Sequence, residues 1–193
     1  MKPKTIIPTH THVRFLFFLT AALLLGGTLL AGPSFGASAN EINASVDAAL
    51  ERFYTHVKDG KEVARRAKGL LVLPNVKKGA FIVGGEYGQG AMRVGGKTVE
   101  YYRMAAGSIG LQIGGEAKDI ILAFNSNDVL KKFRDSKGWE AGVDGNVALV
   151  TLGAGDSAIS AMNKGPIVAF VFDVKGLIAD MSIKGAKFSK LDK

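Results

Sequence analysis

The sequence contains no cysteine and only three histidines among its 193 residues. Without cysteine there can be no disulfide bond, no thiolate metal ligand, no cysteine nucleophile and no lipid-modified N-terminal cysteine. Proline (5 residues) and tryptophan (1 residue) are also scarce. Burial of apolar side chains must therefore hold the folded chain together.

Glycine, in contrast, is abundant, with 25 residues, 20 of which lie between Gly69 and Gly185. They accompany apolar segments of strand length: residues 80–83, 90–94, 108–113, 119–124 and 167–172. Glycine at this density permits tight turns, bulges and close approach of backbones. The pattern predicts an α+β domain with a curved, mostly antiparallel, glycine-rich β-sheet. It leaves open whether the sheet closes into a barrel-like form.

Helices are predicted at the N-terminal side of these strands. Residues 42–57 carry apolar side chains at helical spacing, which predicts a helix that packs on the sheet. Insertion of this apolar stripe into a bilayer is the less favoured alternative, because the acidic residues on the helix suit an anionic surface poorly. A second, shorter helix is expected over residues 61–68, with Asp59 and Glu62 at the spacing of a capping box.

One further helix is predicted inside the strand region, over residues 127–135. Ser126 or Asn127 can cap its N-terminus, and Gly138 follows its end. Its basic residues are expected to face solvent: Lys131, Lys132, Arg134 and Lys137.

The first 39 residues have the pattern of a signal peptide. A basic start is followed by the apolar stretch 15–31 and then by Ala37-Ser38-Ala39, the small residues that signal peptidase requires. We expect cleavage after Ala39, which leaves residues 40–193 as a single domain exported to the periplasm. Retention of the leader as a membrane anchor is the alternative.

The segment 91–98 satisfies a permissive phosphate-loop pattern. A phosphate loop must be followed by a helix whose N-terminus faces the phosphates. Here the β-prone residues 99–103 follow instead, so Gly95-Gly96 is predicted to be a two-residue hairpin turn and no nucleotide is expected to bind.

Catalytic and metal-binding patterns are weak. His56 is the only histidine beyond the leader, and no activated serine motif accompanies it. Asp144-Gly145-Asn146 is more typical of a turn than of a calcium loop. We therefore expect no enzyme activity, no metal and no cofactor. A carboxylate pair for glycoside cleavage stays open, because such a pair leaves no spacing signature.

Several ordered motifs are similar to those of a known family. They are residues 70–90 (with Leu-Pro-Asn-Val-Lys-Lys-Gly at 73–79), residues 107–116, Gly138-Trp139-Glu140 and residues 175–180. Together they resemble the SYLF domain, and the resemblance runs from about Val46 to near the C-terminus. That domain occurs alone in exported bacterial proteins and joined to SH3 or FYVE modules in eukaryotic actin-patch proteins.

The resemblance implies phospholipid binding, with a phosphoinositide preference in eukaryotic members and actin association in the yeast proteins. An exported bacterial chain meets neither phosphoinositides nor actin in its own cell. We therefore expect peripheral binding to an anionic phospholipid membrane surface, without nucleic acid or nucleotide. A structural or envelope-stress protein that binds another protein is the alternative.

The whole chain has a net charge of +8, and without the three basic residues of the leader the net charge is 22 − 17 = +5. This moderate excess suits an anionic partner and equally suits plain solubility. Five cations are the candidate lipid-binding residues: Arg65, Arg66, Lys68, Lys77 and Lys78. The first three lie on the predicted second helix, and the last two lie in an expected turn between the first two strands. If those strands pair, the helix end and the turn can share one edge and grip a headgroup phosphate. The alternative is an ordinary solvated rim of charges.

Overall fold

The computed structural model describes residues 36–78, 84–108, 116–152, 157–175 and 182–193. Within these residues the helices are α1 (Ala39–His56), α2 (Gly60–Arg66), α3 (Asn127–Asp135) and α4 (Ala158–Ala161). The strands are β1 (Gly69–Lys78), β2 (Gly84–Val94), β3 (Lys97–Ser108), β4 (Glu116–Phe124), β5 (Trp139–Glu140), β6 (Val147–Thr151), β7 (Ile167–Lys175) and β8 (Lys187–Leu191).

These eight strands form one sheet in the order β5-β8-β3-β2-β1-β4-β7-β6. Every neighbouring pair is antiparallel except β6 and β7, which are joined by a crossover that contains α4. The sheet curls strongly into a half-barrel. The predicted α+β class is therefore confirmed, with a curved, mostly antiparallel sheet, N-terminal helices and the inserted helix α3. The short helix α4 was not predicted.

α1 begins with a capping box formed by Ser38 and Glu41. The Glu41 N–H donates to Ser38 Oγ (3.3 Å), and the Ser38 N–H donates to Glu41 Oε2 (2.7 Å). The residues that recur every three or four positions are buried against the sheet: Ile42, Val46, Ala49 and Phe53. The helix predicted over 42–57 is thus confirmed, and its cap places its start at Ala39.

Both faces of the sheet are covered by apolar side chains. The face that packs against α1 and α2 is called the α1 face, and its buried sheet residues include Leu70, Val72, Ala91, Ile121 and Phe170. The other face, called the α3 face, carries Leu71, Leu73, Met92, Leu122 and Phe124 beneath Phe133 and Trp139. β4 and β7 contribute to both cores, which explains the continuous apolar runs predicted as central strands at 119–124 and 167–172.

The hairpin predicted at Gly95-Gly96 is confirmed. It joins β2 to β3 with Val94 paired to Lys97, and both glycines have positive φ angles, 56° and 78°. A type I′ turn requires this left-handed conformation at both central positions, which glycine adopts at little cost. Two predicted strand segments, 80–83 and 109–113, lie outside the described residues.

Two local predictions are wrong. Asp59 does not cap α2 through a capping box, because its backbone is left-handed (φ 65°) and its Oδ2 accepts a hydrogen bond from Ser157 Oγ (2.6 Å). Arg134 does not simply face solvent, because its Nε donates to Glu100 Oε2 on β3 (3.0 Å). The predicted cap of α3 is confirmed, with Ser126 Oγ accepting from the Val129 N–H.

Candidate functional site

The structure does not bring the five predicted cations together. Arg65 and Arg66 end α2, and Lys68 immediately precedes β1, whereas Lys77 and Lys78 end the same strand. A strand of ten residues spans about 30 Å at roughly 3.3 Å per residue. The expectation of one shared patch is therefore wrong, because β1 separates the two groups instead of folding them onto one edge.

The local partners of these cations differ. Arg65 and Arg66 both form ion pairs with the single carboxylate of Glu62. Lys78 is half-buried and pairs directly with Glu86 of β2, which places it on the α3 face. Lys77 is exposed and lies on the α1 face. Of the two lysines, Lys77 is therefore the one presented to solvent.

A β-bulge in β1 determines this orientation. Leu73 pairs with Ile120 and Val76 pairs with Lys118, so Pro74 and Asn75 together oppose the single residue Asp119. The extra residue reverses the alternation of side chains beyond it. Val76 is consequently buried in the α3-face core, and Lys77 points to the α1 face.

Direct pairing across six strands then aligns Lys77 with other residues of the α1 face. On one side, Lys77 of β1 pairs with Ala117 of β4, which pairs with Lys175 of β7. On the other side, Lys77 pairs with Tyr87 of β2, Tyr87 with Ala105 of β3, and Ala105 with Lys187 of β8. Residues paired in this way share one face of the sheet. The row is Lys175, Ala117, Lys77, Tyr87, Ala105 and Lys187. With strands about 4.8 Å apart, Lys77 lies roughly 10 Å from Lys175 and roughly 14 Å from Lys187 along the row.

Arg103 adds a fourth cation to this surface. It lies two residues before Ala105 on β3, pairs with Gln89 on β2 and with Ser189 on β8, and is exposed. We call the surface formed by Lys77, Tyr87, Arg103, Lys175 and Lys187 the basic face.

Carboxylates offset this positive charge only in part. Lys187 Nζ lies 3.4 Å from Glu140 Oε2, and Lys175 Nζ lies 3.8 Å from Asp173 Oδ2. Within the described ranges, neither Lys77 nor Arg103 forms an ion pair. Both therefore keep their full charge for an external anion.

A shallow groove adjoins the basic face where α1 begins. Its volume is about 280 Å³, and its lining includes Ile42, Pro74, Lys77 and Tyr87. Tyr87 is 49% exposed, and its hydroxyl accepts a hydrogen bond from Gln89 Nε2 (2.6 Å). An exposed tyrosine with one apolar and one polar end is typical of surfaces that contact a membrane interface or a partner.

On the α3 face, behind the basic face, lies a buried ion pair. Lys118 Nζ donates to Glu86 Oε1 at 2.8 Å, and each side chain is 8% exposed. Because each charge is compensated by its partner, this pair adds no net charge to the surface.

Sequence reasoning missed Tyr87, Arg103, Lys175 and Lys187. The alternation of Tyr101, Arg103 and Ala105 with the buried Tyr102 and Met104 indicates an exposed side of β3. No local signal, however, indicates that β8 pairs beside β3 or that Lys175 aligns with Lys77. Those positions depend on register between strands far apart in the sequence.

The described residues contain no group of three or more histidine, aspartate or glutamate side chains that could hold a metal ion. No helix in the part of the chain that the structure describes is both long and apolar enough to cross a membrane. His56 is exposed at the end of α1.

Comparison with known proteins gives one family match. Residues 105–193 match the model of the family described as "Ysc84: Las17-binding protein actin regulator". The match begins near the end of β3 and includes two of the four cations of the basic face, Lys175 and Lys187. A search of curated proteins finds no significant match to the chain.

Proposed function

We propose that this domain binds anionic phospholipid surfaces without catalysing a reaction. The proposal takes as its premise the match of residues 105–193 to the Ysc84 (SYLF) family model, which agrees with the SYLF-like motifs of the sequence. The observation that carries the proposal is the alignment of Lys175, Lys77 and Lys187 on one open face beside Arg103.

The size of the electrostatic attraction is consistent with peripheral binding. A cation held near an anionic membrane contributes about 1 kcal/mol, so the four cations contribute at most roughly 4 kcal/mol. Lys175 and Lys187 contribute less than Lys77 and Arg103, because each has a carboxylate nearby. Binding of this strength is reversible and weakens as salt screens the charges.

Tyr87 supplies the apolar part of the proposed contact. It lies in the row between Lys77 and Ala105, so a membrane that approaches the lysines also meets its ring. With residues 1–39 acting as an export leader, the membrane would be met from the periplasm. The five cations predicted from sequence then divide into one contributor, Lys77, and four that lie off this face.

Vesicle co-sedimentation tests the proposal. The purified exported protein should pellet with vesicles that contain phosphatidylglycerol and remain in solution with pure phosphatidylcholine, and added salt should release it. Equal pelleting with the two vesicle types would contradict the proposal.

Binding to a protein partner is the second candidate, and the family description, which names a protein ligand, favours it. β6 offers a route, since it lies at one edge of the sheet and, among the described strands, pairs with β7 alone. This candidate predicts a defined partner in a pull-down with purified bait, and binding that does not depend on the charge of added lipid.

A further inference from the structure

Two bulges in the sheet determine which lysines appear on the basic face. In β1, the side chains of Leu71 and Leu73 are buried on the α3 face. Lys77 is an even number of residues from both, so in a regular strand its side chain would point to the same face. Without the extra residue at Pro74-Asn75, Lys77 would point to that same apolar face.

β7 contains a second bulge with the same consequence. Asp119 pairs with Phe172 whereas Ala117 pairs with Lys175, so β7 holds one extra residue between these two pairs. Val171 is buried in the α3-face core, and an unbroken alternation would send Lys175 there as well. The bulge moves Lys175 to the α1 face, in line with Lys77.

Each bulge contains a residue with a left-handed backbone that is not glycine. The φ angle is 48° at Asn75 and 47° at Asp173. Such conformations are uncommon for residues with side chains and persist only where neighbouring contacts hold them.

Arg52 and Asp119 supply those contacts to both bulges. Asp119 Oδ1 accepts a hydrogen bond from the Asn75 N–H (2.9 Å), and its Oδ2 accepts two from Arg52, at 2.9 Å from Nε and 2.6 Å from Nη2. Arg52 Nε also lies 3.1 Å from Asp173 Oδ2. Asp119 is 1% exposed, so its carboxylate cannot exchange these donors for water.

We propose that the Arg52–Asp119 pair is the positioning element of the basic face: it holds both bulges and thereby directs Lys77 and Lys175 outward. The inference rests on the proposed function for its purpose, but the geometry it describes can be tested without lipid. Lys187 provides an internal control, because it reaches the same face through β8, whose five pairs with β3 contain no bulge.

The test compares Asp119→Asn and Arg52→Met with Asp47→Asn in the exported protein. Asp47 also pairs α1 with the sheet, through Arg93 Nη2 (2.5 Å), but it contacts neither bulge. Modification of each lysine by acetic anhydride, followed by mass spectrometry, reports the exposure of Lys77, Lys175 and Lys187. Asp119→Asn and Arg52→Met should slow modification of Lys77 and Lys175 and leave Lys187 unchanged, and Asp47→Asn should change none of the three.

A rescue variant separates positioning from general loss of stability. Glycine adopts a left-handed backbone freely, so Asn75→Gly combined with Asp119→Asn should restore the exposure of Lys77 while Lys175 stays slow. Binding to phosphatidylglycerol vesicles should weaken by about fivefold when Lys77 turns inward, by less when Lys175 does, and recover in part in the rescue variant.

Two results would overturn the inference. One is that Lys77 and Lys175 are modified at the wild-type rate in Asp119→Asn; the other is that the rates of Lys77, Lys175 and Lys187 all change alike. Failure of the wild-type protein to bind phosphatidylglycerol vesicles would instead overturn the proposed function, because the modification pattern is measured without lipid.

Discussion

At the scale of single residues, a cation attracts an external anion less strongly when a carboxylate of the same chain already holds it. Glu62 is shared by Arg65 and Arg66, and Glu140 lies 3.4 Å from Lys187. Lys77 and Lys68 are both exposed, and within the described residues neither forms an ion pair. They lie at opposite ends of β1, which makes them a matched pair for experiment.

Charge reversal at Lys77 should weaken binding to phosphatidylglycerol vesicles by roughly 30-fold, since one favourable contribution is lost and a repulsive one of similar size replaces it. Lys68→Glu makes the same change of charge off the basic face and should alter binding by less than about threefold, through the long-range field alone. Vesicle titration with both variants measures the difference. Equal losses for Lys77→Glu and Lys68→Glu would show that net charge, and not the basic face, governs binding.

Sequence reasoning identified Lys77 as a candidate but gave it the wrong neighbours. The run from Leu70 to Val76 appears as one strand, yet it contains Pro74 and Asn75, a pair that disfavours a regular central strand. That pair is the local signal of a bulge. It indicates that the alternation of side chains between the two faces changes at this point of β1. It does not indicate which residues of β4, β2 and β7 align with Lys77.

The capping box of Ser38 and Glu41 leads to a further prediction, because the expected cleavage after Ala39 would separate its two residues. Hydrogen bonding from Ser38 holds the pKa of the Glu41 carboxyl below its usual value. A chain that begins at Asn40 lacks this cap and should unfold with a free energy about 1 kcal/mol lower than a chain that begins at Ala37. Urea denaturation of the two chains measures the effect, and equal midpoints would show that the cap contributes nothing.

At the scale of elements, β1 and β2 approach each other closely where the bulge interrupts their pairing. A Cβ atom placed on Gly90 would lie 1.8 Å from the carbonyl oxygen of Val72. No side chain can occupy that space unless the two strands separate.

Gly90→Ala should therefore lower the free energy of unfolding by about 3 kcal/mol, a loss typical of severe local overpacking. Gly107→Ala on β3 is the control, since a Cβ there would meet no atom within 4 Å, and it should stay within about 0.5 kcal/mol of wild type. Thermal or urea unfolding of both variants provides the comparison. A Gly90→Ala protein as stable as Gly107→Ala would mean that the two strands are not in such close contact.

Glu100 joins three elements on the α3 face. Its carboxylate accepts hydrogen bonds from Arg134 of α3, from Lys190 of β8 and from the hydroxyl of Tyr102. Burial raises the pKa of Glu100, but these three hydrogen bonds together outweigh it and hold the pKa below the ordinary value of 4.5. Burial, together with the hydrogen bond to the Glu100 carboxylate, raises the pKa of Tyr102.

A carboxyl whose pKa is lowered by folding stabilises the folded state above its unfolded pKa, and this contribution is lost as the pH falls through its folded pKa. Glu100→Gln should thus be less stable than wild type by roughly 1–3 kcal/mol at pH 7, and the difference should shrink below pH 4.5. Unfolding measured between neutral and acid pH tests this. Glu51→Gln, at an exposed position of α1, should show no such convergence, and a constant difference for Glu100→Gln would contradict the account.

At the scale of the whole molecule, most cations near the start of β1 have carboxylate partners, Lys68 being an exception among the described residues, whereas two of the four basic-face cations near its end have none. Where β1 begins, Arg93 is paired with Asp47, and Arg65 and Arg66 share Glu62. Where β1 ends, Lys77 and Arg103 form no ion pair among the described residues. The overall positive charge could be predicted from composition, but its concentration on one open face could not.

The features of this fold that could not be predicted from the sequence also belong to the scale of the whole molecule. Helix α1, helix α3, the Gly95-Gly96 hairpin and the strands at 119–124 and 167–172 follow from local patterns and are confirmed. The basic face depends on non-local pairing: β8 joins β3 from more than 80 residues away, and two bulges each shift the register by one residue. A one-residue shift moves every later side chain to the other face, so small local ambiguities determine where the site lies.

The most direct test of the central claim is to measure lysine modification in the wild-type protein with and without phosphatidylglycerol vesicles. If the basic face contacts the membrane, vesicles should protect Lys77, Lys175 and Lys187 and leave Lys68, Lys97 and Lys131 as reactive as before. Protection of Lys68, Lys97 or Lys131 with no change at Lys77, Lys175 and Lys187 would contradict the account.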